Sequence, residues 1–594
     1  MKKLTALVLA LVMCFGLAAC GSTPAPSSTP ASEPASQPEA TNENFVDPVN
    51  GWGVYDDLID QIRTETDLAK RAELMHQAED ILMDTGAILP LYFYTDIYLQ
   101  QDYLTNVYWT PFGYKYFMFA ELGNGADTLR AYLASEPDKL DPALNSTVDG
   151  AILAINSFAG LYTYNADHEQ VPDLAVGSPE VSEDGLTYTF TLKDGLKWSN
   201  GDTLDATDFV YSWNRAADPM TASDYGYMFA PIKGYAEMTE MDADGNLVNP
   251  DAQLAVTASE DGKTLTVELE YPTAYFLDLC AFPTYFPVYQ EAVEAADPEG
   301  NNPGAWALEG TDKNENFVCN GAYVLTAWNH NSSMTYEKNP NYHRADEVKI
   351  EKQEFMLSND EVQPFNAYNA GDLDFCDGVP TAEIANMEGN PEYYVIGTLG
   401  TYYVSFNVNS PMFEGMSAED AATLRKALAL FIDRDYIVTN VGQADQVPAG
   451  SFIPAGCLDG TGKEFKNKDY YDPTSEGFED NVAKGIEMME SIGYKFDDNG
   501  MLSDETPLSF TYLVNTPGSN VDVAVAIQQD MDAVGIDMQI SEMEWNVFLN
   551  DRKAGNFDVA RNGWLMDYND PLNMLEMWTS DSGNNDCQFG KPQA

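Results

Sequence analysis

The alternation of apolar and polar positions divides the chain into helical and extended stretches. Leu68, Ala72, Met75, Ala78 and Leu82 recur at helical spacing, so Asp67 to Thr85 is predicted to be an amphipathic helix that stops at Gly86. Ile88 to Tyr94 reads as a strand carrying a proline, followed by an aromatic-rich extended piece to Phe119. This opening unit is too small for a core of its own and must dock on something later in the chain. Beyond it the pattern predicts a strand over Thr128 to Leu133, a helix over Ile152 to Tyr162 and a half-buried strand over Leu186 to Leu192. A helix is expected over Ala206 to Ala217, a strand over Leu265 to Leu269 and an apolar helix over Pro272 to Phe286. Tyr323 to Trp328 and Ser333 to Glu337 pair through a turn at Asn329 to Asn331. Tyr402 to Asn407, Phe510 to Val514 and Met538 to Ile540 read as strands, and Ala421 to Phe431 and Val521 to Val534 as helices. The alternation points to an α/β protein with more than one sheet.

One tract breaks the pattern. Arg561-Asn562-Gly563-Trp564-Leu565-Met566-Asp567-Tyr568-Asn569-Asp570-Pro571 sets an acid, Asp567, among aromatic and apolar neighbours. A carboxylate is costly to bury there unless a cation meets it, and a free amino group is such a cation. The alternative is that Asp567 caps the turn at Asn569-Asp570-Pro571.

The amino-terminal residues change the picture of location. Lys2 and Lys3 precede an apolar run, Leu4 to Leu17, too short for a comfortable membrane span, which ends in Leu17-Ala18-Ala19-Cys20. This is similar to a bacterial lipobox, in which Cys20, the last residue of the lipoprotein signal at residues 1 to 20, is lipidated and becomes the mature amino terminus. Residues 21 to 44 are Ser, Thr, Pro, Ala and Glu with almost nothing apolar, the composition of a tether. The expectation is a body anchored to a membrane that it does not cross.

Formal net charge is −65, from 95 acids against 30 bases, which argues against a nucleic-acid partner and against docking on anionic lipid. The charge favours solubility and attracts cationic ligands. Without Cys14 and Cys20, five cysteines remain, Cys280, Cys319, Cys376, Cys457 and Cys587, with no CxxC pair. One or two disulfides are open to an exported chain.

Enzymatic readings find little support. His76, His168, His330 and His343 are scattered, no HExxH or GxSxG is present, and Gly262-Lys263-Thr264 lacks the earlier glycine of a phosphate loop. Glu240 to Asp251 loosely imitates a calcium loop, but its Asp244-Gly245 step is also ordinary hairpin chemistry. No metal or cofactor is expected.

The run from Tyr188 to Trp213, YTFTLKDGLKWSNGDTLDATDFVYSW, resembles the extracellular solute-binding proteins of peptide ABC transporters, in particular the oligopeptide-binding type. Further blocks agree: Asn320 to Tyr323 with Glu337 to Tyr342, Leu424 to Leu428 with Ile432 to Arg434, and Glu544-Trp545 ahead of Phe557 to Arg561. The resemblance runs from about Thr128 to about Asp586. It implies a two-lobed periplasmic-binding-protein-like fold, type II with three subdomains, whose lobes hinge on two crossing strands around a ligand cleft. Residues 96–400 would form one lobe, with a subdomain near 162–283. Residues 45–95 and 401–594 would form the other. Tyr55 to Glu121 resembles the family's carboxyl-terminal segment, yet stands at the front, so the resemblance implies a circular permutant. It also favours Cys280 with Cys319 as a disulfide.

For the site, the resemblance implies that Asp567 holds a peptide's α-ammonium. Val148, Tyr225, Gly563 and Leu565 would make main-chain contacts, for which glycine at 563 permits close approach. Trp545 and Trp564 would wall side-chain pockets, or else serve as core. Arg561 would meet the peptide carboxylate, or else form an internal ion pair. The family's histidine near the peptide's carboxyl end falls at Ser519, so peptide length stays open. The implied protein is a monomer, not an enzyme, with an oligopeptide as ligand and a membrane permease as partner. A binding protein of the same fold for an oligosaccharide or metal chelate is the alternative.

Overall fold

The computed structural model describes residues 45–242, 246–307, 317–516 and 518–592. The expected signal, Cys20 and the tether lie outside the described residues, as does the centre of the imitation calcium loop. The described chain from Phe45 onward is one compact unit.

Local chemistry fixes the first elements. Asp67 caps the helix Leu68–Thr85 by accepting from the backbone N–H groups of Ala69 and Lys70. Gly86 ends it in the left-handed region, at φ 65°, and donates to the Met83 carbonyl. A Cβ on Gly86 would stand 2.9 Å from the backbone nitrogen of Lys426, so the helix end packs there only with glycine. An unforeseen helix, Gly53–Thr64, precedes it and buries Tyr55, Ile59 and Ile62.

The expected short strand after Gly86 runs much further, from Ile88 to Gln100. Its polar continuation through Thr95 and Asp96 stays extended because it pairs antiparallel with an equally long strand, Tyr393–Phe406. Two register shifts, between Pro90 and Tyr92 and between Phe93 and Thr95, bend the pair.

These two strands form the middle of an eleven-stranded sheet. On one side Tyr98–Gln100 pairs with Phe375–Asp377, which leads through Thr128–Tyr132, Lys352–Met356, Ser333–Lys338 and Tyr323–Asn329. On the other side Gly400–Phe406 pairs with Val559–Leu565, followed by Ser509–Thr516 and Asp537–Glu544. Val447–Pro448 pairs with Tyr92 and Phe93. Each flank mixes parallel and antiparallel strands, and the two long strands connect the flanks. A separate four-stranded sheet contains Val256–Ala258, Thr264–Glu268, Thr187–Thr191 and Glu180–Val181.

Three expectations are corrected. The apolar stretch Pro272 to Phe286 contains only a short helix, Phe276–Leu279, and a 3₁₀ turn, Pro283–Tyr285. Pro283 cannot donate within a helix, and the run is apolar because Phe276, Leu279 and Tyr285 are core on every side. The helix expected over Ile152 to Tyr162 is Val148–Ser157, started by the Thr147 hydroxyl accepting from Gly150. The five cysteines are free and buried, so the Cys280–Cys319 disulfide does not form. The Cys319 thiol instead donates to the Tyr323 carbonyl at 3.4 Å.

The opening segment docks on the last part of the chain. The Arg71 guanidinium forms a bidentate pair with Asp570 at 2.7 and 2.9 Å, and Arg63 meets Glu576 at 3.1 Å. Trp52 Nε1 donates to the Trp578 carbonyl and the Tyr55 hydroxyl to that of Leu575.

Candidate functional site

The strand Val559–Leu565 carries the site. Its alternation turns Arg561, Gly563 and Leu565 to one side, while Asn562 faces the other and binds Asp586. A cavity of about 480 Å³ lies against this strand. Val148, Trp545, Arg561, Gly563, Trp564 and Leu565 line it together, as does Ser519. Asp567 and Tyr225 do not line the cavity. They lie behind Trp564, whose ring is 5.8 Å from that of Tyr225.

Asp567 is 5% exposed, and no lysine or arginine among the described residues forms an ion pair with it. Its Oδ1 accepts from the hydroxyls of Tyr114 at 3.3 Å and Tyr225 at 3.2 Å. Its Oδ2 accepts from Asn573 Nδ2 at 3.0 Å. Burial pushes the carboxyl up to about 7, against the opposing pull of these hydrogen bonds. The turn is capped by another acid: Asp570 Oδ1 accepts from the Leu572 N–H at 3.0 Å. Asp567 is therefore a solvated-by-protein acid that lacks a cation, not a turn cap.

Asn573 and Tyr114 had no signal in the sequence. Asn573 Oδ1 accepts from both Trp564 Nε1 and the Asp567 N–H, so one amide orients the tryptophan and the acid. Tyr114 belongs to the aromatic extended piece whose destination depends on tertiary docking.

Arg561 is the opposite case. In a chain so acidic, no carboxylate among the described residues pairs with it. Its guanidinium donates to the Tyr94 hydroxyl at 3.3 Å and lies 5.1 Å from the centre of the Tyr402 ring. Its Nε is buried without an acceptor. Trp545 opens the helix Trp545–Lys553, whose cap is Glu544, and stacks on Phe548 with centroids 5.9 Å apart.

Gly563 has a reason within the fold for being glycine. A Cβ there would stand 2.0 Å from the Tyr94 hydroxyl, so the missing side chain makes room for Tyr94. Leu565 packs so closely on Gly113 and Gly400 that a Cβ on either would meet it within 2.5 Å.

A sheet whose flanks are connected by two long strands, over a cavity lined by the half-buried base Arg561 and backed behind Trp564 by the buried acid Asp567, neither with an ionic partner among the described residues, is the architecture of a ligand-binding protein. The sequence model of the bacterial extracellular solute-binding proteins, family 5 Middle, matches residues 169–586, and the chain belongs to this family. The oligopeptide-binding protein OppA of Bacillus subtilis is 34% identical over 477 residues, 79% of this chain and 81% of that protein. The probable deoxycholate-binding periplasmic protein YgiS of Escherichia coli is 30% identical over 459 residues, 76% of this chain and 78% of that protein. In structure, Haemophilus influenzae OppA in complex with RPPGFSPFR superposes with a TM-score of 0.66 at 28% identity, covering 78% of this chain and 85% of that one. Among the described residues no helix is long and apolar enough to cross a membrane.

Proposed function

We propose that this chain captures oligopeptides in a closing cleft and delivers them to the permease of an ABC transporter, held at the membrane by a lipid on Cys20. The observation that carries the reading is Asp567, a buried acid with no cationic partner among the described residues. An extended peptide supplies an α-ammonium to Asp567 in a charge-assisted hydrogen bond, while its backbone adds along Val559–Leu565. Val148, Tyr225, Gly563 and Leu565 make the main-chain contacts, Trp545 and Trp564 wall the side chains, and Arg561 takes the peptide carboxylate. Peptides bound this way are carried, not cleaved.

The lobes are taken as residues 96–400, with a subdomain near 162–283, and residues 45–95 with 401–594. Tyr114 and Tyr225 belong to the first and Asn573 to the second, so opening would strip two hydroxyls from Asp567 and leave room for an ammonium. Ligand-driven closure predicts a smaller radius of gyration in small-angle scattering at peptide saturation; an unchanged radius would count against it.

The order of segments supports a circular permutation. The family match begins at residue 169, yet Ile88–Gln100 occupies the middle of the sheet. In this reading, residues from Tyr55 to Glu121 do the work of the family's carboxyl-terminal segment.

The relationship to YgiS keeps a non-peptide ligand as a second reading. Native mass spectrometry of the protein as purified separates the two. A ladder of bound masses that fragment as peptides is expected; a single non-peptide mass would overturn the proposal.

A further inference from the structure

One loop reaches from the first lobe to the second beside the cavity. Ala222 turns the chain in the left-handed region, at φ 54°, and Asp224 and Tyr225 follow. Tyr225 donates to Asp567. Asp224 faces a different partner. Its Oδ2 lies 2.9 Å from Nζ of Lys553, the last residue of the helix Trp545–Lys553. The carboxylate is held from its own side, because Ser146 Oγ donates to the same oxygen at 2.8 Å. The ammonium is held from its side, because it also donates to Asn584 Oδ1 at 3.2 Å. Asn584 completes the circle, its Nδ2 donating to the Asp224 carbonyl at 3.3 Å.

The backbone is fitted to this contact. A Cβ on Gly583 would stand 2.7 Å from Asp224 Cα, 3.0 Å from its Oδ1 and 3.1 Å from its carbonyl oxygen. The atoms that such a side chain would meet first therefore all belong to Asp224, in the opposite lobe.

The pair also differs from the others in where it stands. On the division into residues 96–400 and residues 45–95 with 401–594, Lys553–Asp224 is the one ion pair among the described residues with a partner in each lobe. Arg63–Glu576, Arg71–Asp570 and Arg552–Asp586 lie within the second lobe, and Arg130–Asp374 and Arg215–Asp141 within the first. Elsewhere the lobes meet through rings, as where Tyr275 stacks on Tyr568 with centroids 4.5 Å apart. The side chains of Lys553 and Asp224 are 24% and 25% exposed, so parting them strands neither charge in an apolar interior. Such a pair can open and re-form.

We propose that Asp224 and Lys553 form a latch across the cleft that sets the balance between open and closed lobes, and so tunes affinity for every ligand without touching any of them. This rests on the two-lobed, peptide-binding reading above and deepens it by naming residues that position the lobes. The latch multiplies the closed-to-open ratio by a fixed factor, about 5-fold for a partly exposed pair. If the free protein is mostly open, losing the latch weakens binding by that factor. If it is mostly closed, the loss shows as a larger free molecule instead. One of the two quantities must move.

Asp224→Asn, Lys553→Met and Gly583→Ala in the full chain test this, by small-angle scattering without ligand and by calorimetry with an alanine tripeptide, an alanine tetrapeptide and a pentapeptide with phenylalanine at its centre. Each variant, with an unchanged circular dichroism spectrum, should weaken every peptide by one common factor of about 5, or enlarge the free radius of gyration while leaving the saturated radius alone. Asp224→Asn combined with Lys553→Met should match the single variants. Gly583→Ala changes no charge and should act in the same direction by wedging the lobes apart. The latch is overturned if neither quantity moves in Asp224→Asn and Gly583→Ala. It is also overturned if Lys553→Met weakens some peptides and spares others, which would make Lys553 a ligand contact. If no peptide binds the native protein, the peptide reading has failed, and the free radius alone then decides the latch.

Discussion

Asp567→Ala should lower affinity for an unmodified peptide by at least about 10-fold, and by as much as 2–5 kcal/mol, the usual range for removing one partner of a buried charge pair. Acetylating the peptide's amino end should cost the native protein a similar amount and cost the variant almost nothing further. This double cycle isolates the ammonium–carboxylate contact from general packing. Equal affinity of the native protein for free and acetylated peptides would remove Asp567 from the binding role. The pH dependence provides a separate check. Burial raises the free carboxyl to about 7, whereas a bound ammonium selects its ionised form and lowers it. The free protein therefore carries a proton below pH 7 that binding must expel. Affinity should be flat just above pH 7 and fall by up to about tenfold per unit below it, with a second decline above roughly pH 8 as the peptide's own amine deprotonates.

The second large effect concerns the docked opening segment. Arg71→Met leaves Asp570 as an uncompensated buried charge, for which about 3–5 kcal/mol of lost stability is expected in urea unfolding. Adding Asp570→Asn should recover most of that loss. The amide oxygen can still accept from Leu572, and the stranded charge is gone. If the double variant is no better than Arg71→Met alone, the pair acts through packing of the arginine stem and not through charge.

The sequence was most legible where local chemistry decides structure. Asp67 and Gly86 bracket a helix by capping, and the helix Ala206–Ala217 begins at Asp205 with a capping box, so both could be read without tertiary knowledge. Pro272 to Phe286 failed because core burial makes a stretch apolar whatever its backbone does. The far half of Ile88–Gln100 was legible only as extended chain, because what makes Thr95 and Asp96 part of the strand is a partner some three hundred residues away. The site divides in the same manner. Arg561, Trp564 and Asp567 stand out as residue types in the wrong company for a core. The Tyr94 hydroxyl that explains Gly563, and the Asn573 amide that fixes both Trp564 and Asp567, are visible only when distant segments are brought together.

That distance has a kinetic meaning. Trp52 reaches Trp578 across 526 residues of chain, and Tyr55 reaches Leu575 across 520. Ile88–Gln100 meets its neighbours in the sheet only after Phe375–Asp377 and Tyr393–Phe406 have been made. Closing loops of this length delays the contacts that reward them, so such topologies fold slowly. During synthesis the earliest residues of the body emerge with nothing to pair with, and the central strand waits for its neighbours while both its edges are open. The native sheet can be sealed only once most of the chain has been delivered, which keeps the growing polypeptide loosely folded until late and makes its first hundred residues the part most in need of protection from premature pairing.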